Sequence, residues 1–147
     1  MAQERLITQI DYARAGKITP QMEAVAAKEH KTPEEIRAGV AKGCIAIPAN
    51  IHHAALSPEG VGEGMRTKVN VNLGISGDLM NAEMELEKVR TAIELGAEGI
   101  MDLSNHGKTH DFRRALVDMS PAMIGTVPMY DACLLYTSPS PRDTERS

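Results

Sequence analysis

From Lys68 onward the sequence alternates short apolar runs with helical patterns, and this alternation restricts the fold more than any other feature. KVNVNL begins at Lys68, and a pattern of period 3.6 follows from about Asn81 to Leu95, with Ala82, Leu86, Val89 and Ile93 on one face. Gly96 closes that helix, and GIMDLS runs from Gly99 to Ser104. A shorter helix covers about Asp111 to Met119, and MIGTV begins at Met123. A βαβαβ order with helical crossovers demands a parallel sheet, so the class is α/β. Three strands do not close a barrel, for which about 250 residues are typical. The pattern therefore reads as the first βα units of an incomplete (β/α)8 TIM-type barrel.

A strand covered on both faces carries apolar residues throughout, yet Asn70 and Asn72 alternate inside KVNVNL. In a barrel one face of each strand meets the helices and the other meets the interior. Val69, Val71 and Leu73 are then expected to face helices, and Lys68, Asn70 and Asn72 the interior, with Asn72 nearest the carboxyl end where barrel ligands bind. Either the asparagines face a ligand, or they bond to neighbouring strands as buried amides must.

Before this region the chain reads as two short helices, one opened by Thr19 and Pro20, the other by Thr32, Pro33, Glu34 and Glu35 and closed by Gly43. CIAIPAN, from Cys44 to Asn50, reads as a short strand ended by Pro48, and His52 to Met65 as a loop. Gly60, Gly62 and Gly64 precede a strand, the wrong order for a dinucleotide fingerprint, and suit a flexible entry loop. At the other end, Cys133 to Ser147 is rich in Ser, Pro and Arg without any period. It is expected to be foreign to the fold and resembles an adapter read-through. The expected division is residues 1–67 as a helical and strand segment, 68–132 as the barrel part and 133–147 as a non-native tail.

The formal net charge is -4, and no cluster of Lys and Arg with interleaved aromatics is present, which argues against nucleic acid as a partner. No apolar run approaches the roughly 20 residues that span a bilayer, and MAQERLITQI lacks the order of a signal peptide. A cytoplasmic protein without membrane contact is expected. With one Phe, three Tyr and no Trp, aliphatic residues and nine Met must fill the core. The two cysteines, Cys44 and Cys133, make neither a disulfide framework nor a metal knuckle.

The histidines offer no ligand set: His52 and His53 are adjacent, and His106 and His110 flank a turn without a second ligand pair. No metal site is expected within this stretch. His53 ends a strand in a loop and is placed to line a site mouth. Arg66 and Lys68 either meet an anion or remain solvated. Asp102 stands at the carboxyl end of a strand, where it serves either as a general base or as a helix cap or buried hydrogen-bond acceptor. Tyr130, just past another strand, offers a ring and a hydroxyl.

ARAGKITPQMEAVA, GCIAIPANIHH, GEGMRTKVNVNLG, IMDLSNHG and IGTVPMYDA occur in the order and spacing of the ThiC family, which this chain resembles over about Ile7 to Ala132. The resemblance implies a radical S-adenosylmethionine lyase that rearranges aminoimidazole ribotide. It implies a 4Fe-4S cluster, S-adenosyl-L-methionine and zinc, with their ligands beyond this stretch, and a homodimer when full length. Substrate contacts carried over by motif fall on Asn72, Met101 and Tyr130, spaced evenly by 29 residues. Asn72 and Tyr130 are also reached from the residues themselves; Met101 is recovered by the resemblance alone. VNVNLGIS, DLSNHGKT and SPAMIGTVPMYDA depart from the pattern usual in the thiamine branch. They look more like the branch that makes 5-hydroxybenzimidazole for the cobamide lower ligand. That product is the expectation, with the thiamine pyrimidine phosphate as the alternative and a non-catalytic ribotide-binding module as the rival of another class. This stretch by itself is expected to be inactive.

Overall fold

The computed structural model describes residues 7–78, 80–107 and 109–135. Three helices come first: α1 (Gln9–Arg14), α2 (Pro20–Glu29) and α3 (Pro33–Lys42). Thr19 and Thr32 accept hydrogen bonds from the N–H groups of Met22 and Glu35, and Glu35 returns a bond to the Thr32 N–H, so both expected helix starts are present. The sequence reading missed α1 because six residues are too few to show a period. It is held by a capping box between Thr8 and Asp11.

The stretch expected to be a flexible glycine loop contains a strand. β1 (Ile45–Ala46) pairs antiparallel with β2 (Val61–Gly62), and a Cβ on Gly62 would lie 2.1 Å from the Cys44 carbonyl oxygen. Glycine is there because the two backbones touch. Gly60 has a packing reason as well, since a Cβ on it would meet Val25 Cγ1 at 2.7 Å. Met22, Val25, Ile36, Val40, Ile45 and Ile47 form the core of this unit.

The expected alternation follows. β3 (Asn70–Leu73), α4 (Ala82–Glu94), β4 (Gly99–Asp102), α5 (Thr109–Met119) and β5 (Met123–Thr126) run in order, and the three strands form a parallel sheet in the order β3-β4-β5. Val71 and Leu73, Ile100 and Ile124 point to one face, where Val89 of α4 and Phe112 and Leu116 of α5 cover them in a second core. The only Phe in the chain is thus spent in the contact between helix and sheet. On α4, Ala82 is exposed although it was expected on the buried face, while Glu85 is buried.

One expectation about the start of β3 is corrected: Val69 does not face the helix layer but is 60% exposed, while Lys68 lines a cavity with Asn70, Gly99 and Met123 but is paired there with Glu29. The ladder begins only at Asn70, because Lys68 is drawn into an ion pair with Glu29 at the end of α2, and the Val69 N–H donates to the Glu98 carboxylate at 2.7 Å. A helix that the sequence pattern does not reveal follows: α6 (Pro128–Leu135) starts two residues beyond β5. Pro128 sits at its first position, where a missing N–H costs nothing. Residues 136–147, most of the expected foreign tail, lie outside the described residues. No helix among the described residues is long and apolar enough to cross a membrane.

Charge joins the first unit to the amino end of the sheet. Glu29 pairs with Lys68, Glu98 with Arg66, and Glu59 with Lys28 at 2.6 Å. Burial works to raise the Glu29 pKa, but hydrogen bonds from the Lys68 ammonium and the Arg66 N–H outweigh it and hold the carboxyl below the ordinary 4.5. Glu98 is lowered in the same way: burial is opposed by the Val69 N–H and the Arg66 guanidinium. A depressed native pKa stabilises the fold above the unfolded value and is lost as pH falls through the native one. Urea midpoints measured from about pH 6 to about pH 3.5 are therefore expected to hold level and then fall below about 4.5. Glu29→Gln should flatten part of that acid slope; an unchanged slope would remove Glu29 from the linkage.

Candidate functional site

The sheet face away from α4 and α5 carries two rows set by the strand register. Asn70, Gly99 and Met123 form the first row, and Asn72, Met101 and Gly125 the second. Because side chains alternate across a strand, these rows present amides, thioethers and bare backbone while the intervening residues fill the core. Asn70 donates from Nδ2 to Asn72 Oδ1 at 3.0 Å, so the two asparagines pair along one strand and both are exposed. A Cβ on Gly125 would lie 2.8 Å from Met101 Cε and 2.9 Å from its Sδ, so the Met101 side chain reaches over β5 through space that only glycine leaves. Asn72 and Met101 are thus cross-strand neighbours on one open face. Tyr130 is outside this row, in the first turn of α6 beyond the carboxyl end of β5, and is 41% exposed.

Asp102 is directed to the other face. It is fully buried, accepts the Ser104 N–H at 2.9 Å through Oδ1, and accepts Arg113 Nε at 2.6 Å through Oδ2. Of the two readings of Asp102, the structure shows the buried hydrogen-bond acceptor. Arg113, on α5, also pairs with Asp131 on α6, and Thr109 Oγ1 donates to that carboxylate at 3.3 Å. Burial pulls the Arg113 pKa down, but hydrogen bonds to Asp131 and Asp102 push it further up, so the guanidinium remains charged. Ser104 is fully buried too, and its hydroxyl accepts the Ile75 N–H at 2.9 Å. The sequence reading missed Arg113. Its signal was the pair Asp102 and Asp131, also 29 residues apart, with an arginine on the helix between them.

The two loops at the carboxyl ends of β3 and β4 touch where the His106 ring lies against Gly77, whose Cβ would come 3.3 Å from Cε1. His53 is elsewhere. Its Nε2 is 2.7 Å from the Ser120 carbonyl oxygen, before β5 begins, and it lines a cavity of about 560 Å³ with Gln9, Gln21, Asn50 and Ile51 in the first unit. It therefore belongs to the amino end of the sheet and not to the mouth beside Asn72. Arg66 and Lys68, the other basic candidates, are taken up by Glu98 and Glu29. Among the described residues no three His, Cys, Asp or Glu side chains converge as a metal site, and Cys44 is exposed.

A model of the radical SAM ThiC family matches residues 8–143. A phosphomethylpyrimidine synthase from Alkaliphilus metalliredigens (strain QYMF) is 62% identical over 129 residues, covering 88% of this chain and 30% of the relative. A phosphomethylpyrimidine synthase from Clostridium botulinum (strain Hall) is 57% identical over 129 residues with the same coverage. The chain thus spans about 30% of the length of the curated relatives it matches.

Proposed function

The chain belongs to the radical SAM ThiC family, and on that premise we propose that it forms one wall of the substrate site of a phosphomethylpyrimidine synthase. The observation that carries this reading is the identity of 62% to a relative of that name across 88% of the chain. The substitutions that led the sequence reading toward hydroxybenzimidazole lie in three short motifs, and they weigh less than agreement spread over 129 residues. The thiamine branch is accordingly preferred.

In this proposal β3, β4 and β5 are the first strands of a (β/α)8 barrel, and the open face of the sheet looks into it. In-register parallel strands, with polar and small residues on the face away from the helices, support that reading. The substrate is aminoimidazole ribotide. Asn72 offers both donor and acceptor, the Met101 thioether a polarisable surface, and Tyr130 a ring and a hydroxyl. Their task is positioning: the order in which bonds of a bound ribotide react depends on how it is held.

Family membership implies an iron-sulfur cluster and S-adenosylmethionine. The residues described here do not fit a cluster, since no three ligand side chains converge and Cys44 is exposed.

The test is a chimera in which residues 8–132 replace the aligned segment of the Alkaliphilus relative. Its synthesis of the pyrimidine phosphate is expected in a strain lacking the enzyme, restoring growth without thiamine. In the same protein Asn72→Ala and Tyr130→Ala should each weaken ribotide binding about tenfold, the loss expected for about one hydrogen bond or ring contact. A chimera that leaves growth dependent on thiamine, or variants that bind and turn over normally, would sink the proposal.

A further inference from the structure

One guanidinium binds the carboxylates that follow two of the three proposed contacts and reaches the strand of the third through Ser104. Asp102 follows Met101, Asp131 follows Tyr130, and Arg113 binds both carboxylates. Its Nη2 also lies 3.4 Å from the Ser104 carbonyl oxygen, and Ser104 Oγ accepts the N–H of Ile75, three residues beyond Asn72. The ends of β3 and β4 and the first turn of α6 are therefore joined at a single side chain that is itself only 20% exposed. We propose that Arg113 is a positioning residue for ribotide binding, holding Tyr130 and Met101 at a fixed separation through Asp131 and Asp102. This inference rests on the substrate-wall reading above.

Tyr130 sits in the first turn of a helix of eight residues, and an isolated helix that short has little stability of its own. Something must set its direction, and the planar fork of Arg113 bonds Asp102 through Nε and Asp131 through Nη1, which one ammonium cannot reproduce. Asp102 provides the rigid side of the link: it is fully buried in β4, next to Met101 in the row shared with Asn72. A link from a rigid strand to a short helix orients the helix.

The experiment uses the full-length chimera and aminoimidazole ribotide as the probe, with dissociation constants measured calorimetrically in the absence of S-adenosylmethionine so that no turnover intervenes. Asp131→Asn releases α6 while leaving Asp102 paired, and it is the primary variant because removing Arg113 strands a buried carboxylate. Asp131→Asn should weaken binding about fivefold to tenfold. In a double-mutant cycle its effect should largely vanish when Tyr130 is already alanine, yet persist in full when Asn72 is alanine. Arg113→Lys should resemble Asp131→Asn.

If Tyr130→Ala weakens binding and Asp131→Asn leaves it unchanged, the positioning role is wrong and the substrate wall stands. Effects of Asp131→Asn and Tyr130→Ala that simply multiply would also overturn it, because a structural role acts on the whole fold without singling out Tyr130. If Tyr130→Ala itself has no effect on binding, the wall reading fails and the inference falls with it.

Discussion

Gly74→Ala is expected to cost about 3 kcal/mol or more and, on the proposed reading of the site, to abolish ribotide binding, since strain at a forbidden backbone angle and overpacking each contribute about 1–3 kcal/mol. Gly74 follows β3 directly with φ of 145°, and its Cβ would fall 2.5 Å from the Ser104 nitrogen and 2.8 Å from the Leu103 carbonyl carbon. Both obstacles are backbone, so no rotamer change relieves them. The Gly74 N–H donates to Glu85 Oε2 at 2.9 Å, and Glu85 is 1% exposed, so the strand end cannot swing outward without opening a buried contact. The urea midpoint should fall steeply, and the displaced strand end should carry Asn72 out of its row. Gly96→Ala is the control: φ is 83° but nothing lies within 4 Å, so only the strain of about 1 kcal/mol is expected. Gly62→Ala meets a closer obstacle, yet it burdens an antiparallel ladder of two residue pairs that can open locally. Equal losses at Gly74 and Gly96 would show that the crowding beside Ser104 does not matter.

Arg113→Met should destabilise the fold by about 3–5 kcal/mol, the range for breaking a buried ion pair by removing one partner. The reason is the carboxylate left behind. Asp102 is fully buried, and without Arg113 only the Ser104 N–H compensates its charge. Adding Asp102→Asn to Arg113→Met removes that charge while keeping an acceptor for Ser104, so the double variant is expected to recover a substantial part of the loss. Asp131, at 24% side-chain exposure, can be solvated when its partner goes, and Asp131→Asn alone should cost about 1 kcal/mol or less. Urea unfolding of the four proteins decides the matter. A double variant no more stable than Arg113→Met would mean that the loss comes from packing of the arginine stem and not from the stranded charge.

The fold was legible where local chemistry suffices. Thr19, Thr32 and Pro33 announce their helices, because a cap acts within four residues of itself. The alternation from Asn70 to Thr126 announces a parallel sheet, because a helical crossover permits little else. The short helices α1 and α6 were lost for want of length. Tyr130 is placed just past a strand by the sequence but not in a helix, since Pro128 resembles a strand terminator as much as a first helical residue. In the site, Asn72 could be found from its conflict with an apolar strand, whereas Met101 looks like ordinary core material and becomes a candidate only through the resemblance and the register that sets it beside Asn72.

The sequence by itself determined the class of fold, the polar face of β3 and membership of a family, since each depends on residue types at short range or on their order. The tertiary structure alone decided that Gly62 is strand and not loop, that Lys68 leaves the sheet for Glu29, that His53 serves the amino end, and that Asp102 is bound to Arg113. Those outcomes turn on which of several distant partners reaches a group first. Opposite charges and backbone contacts separated by 11 to 67 residues leave no period in the sequence to read.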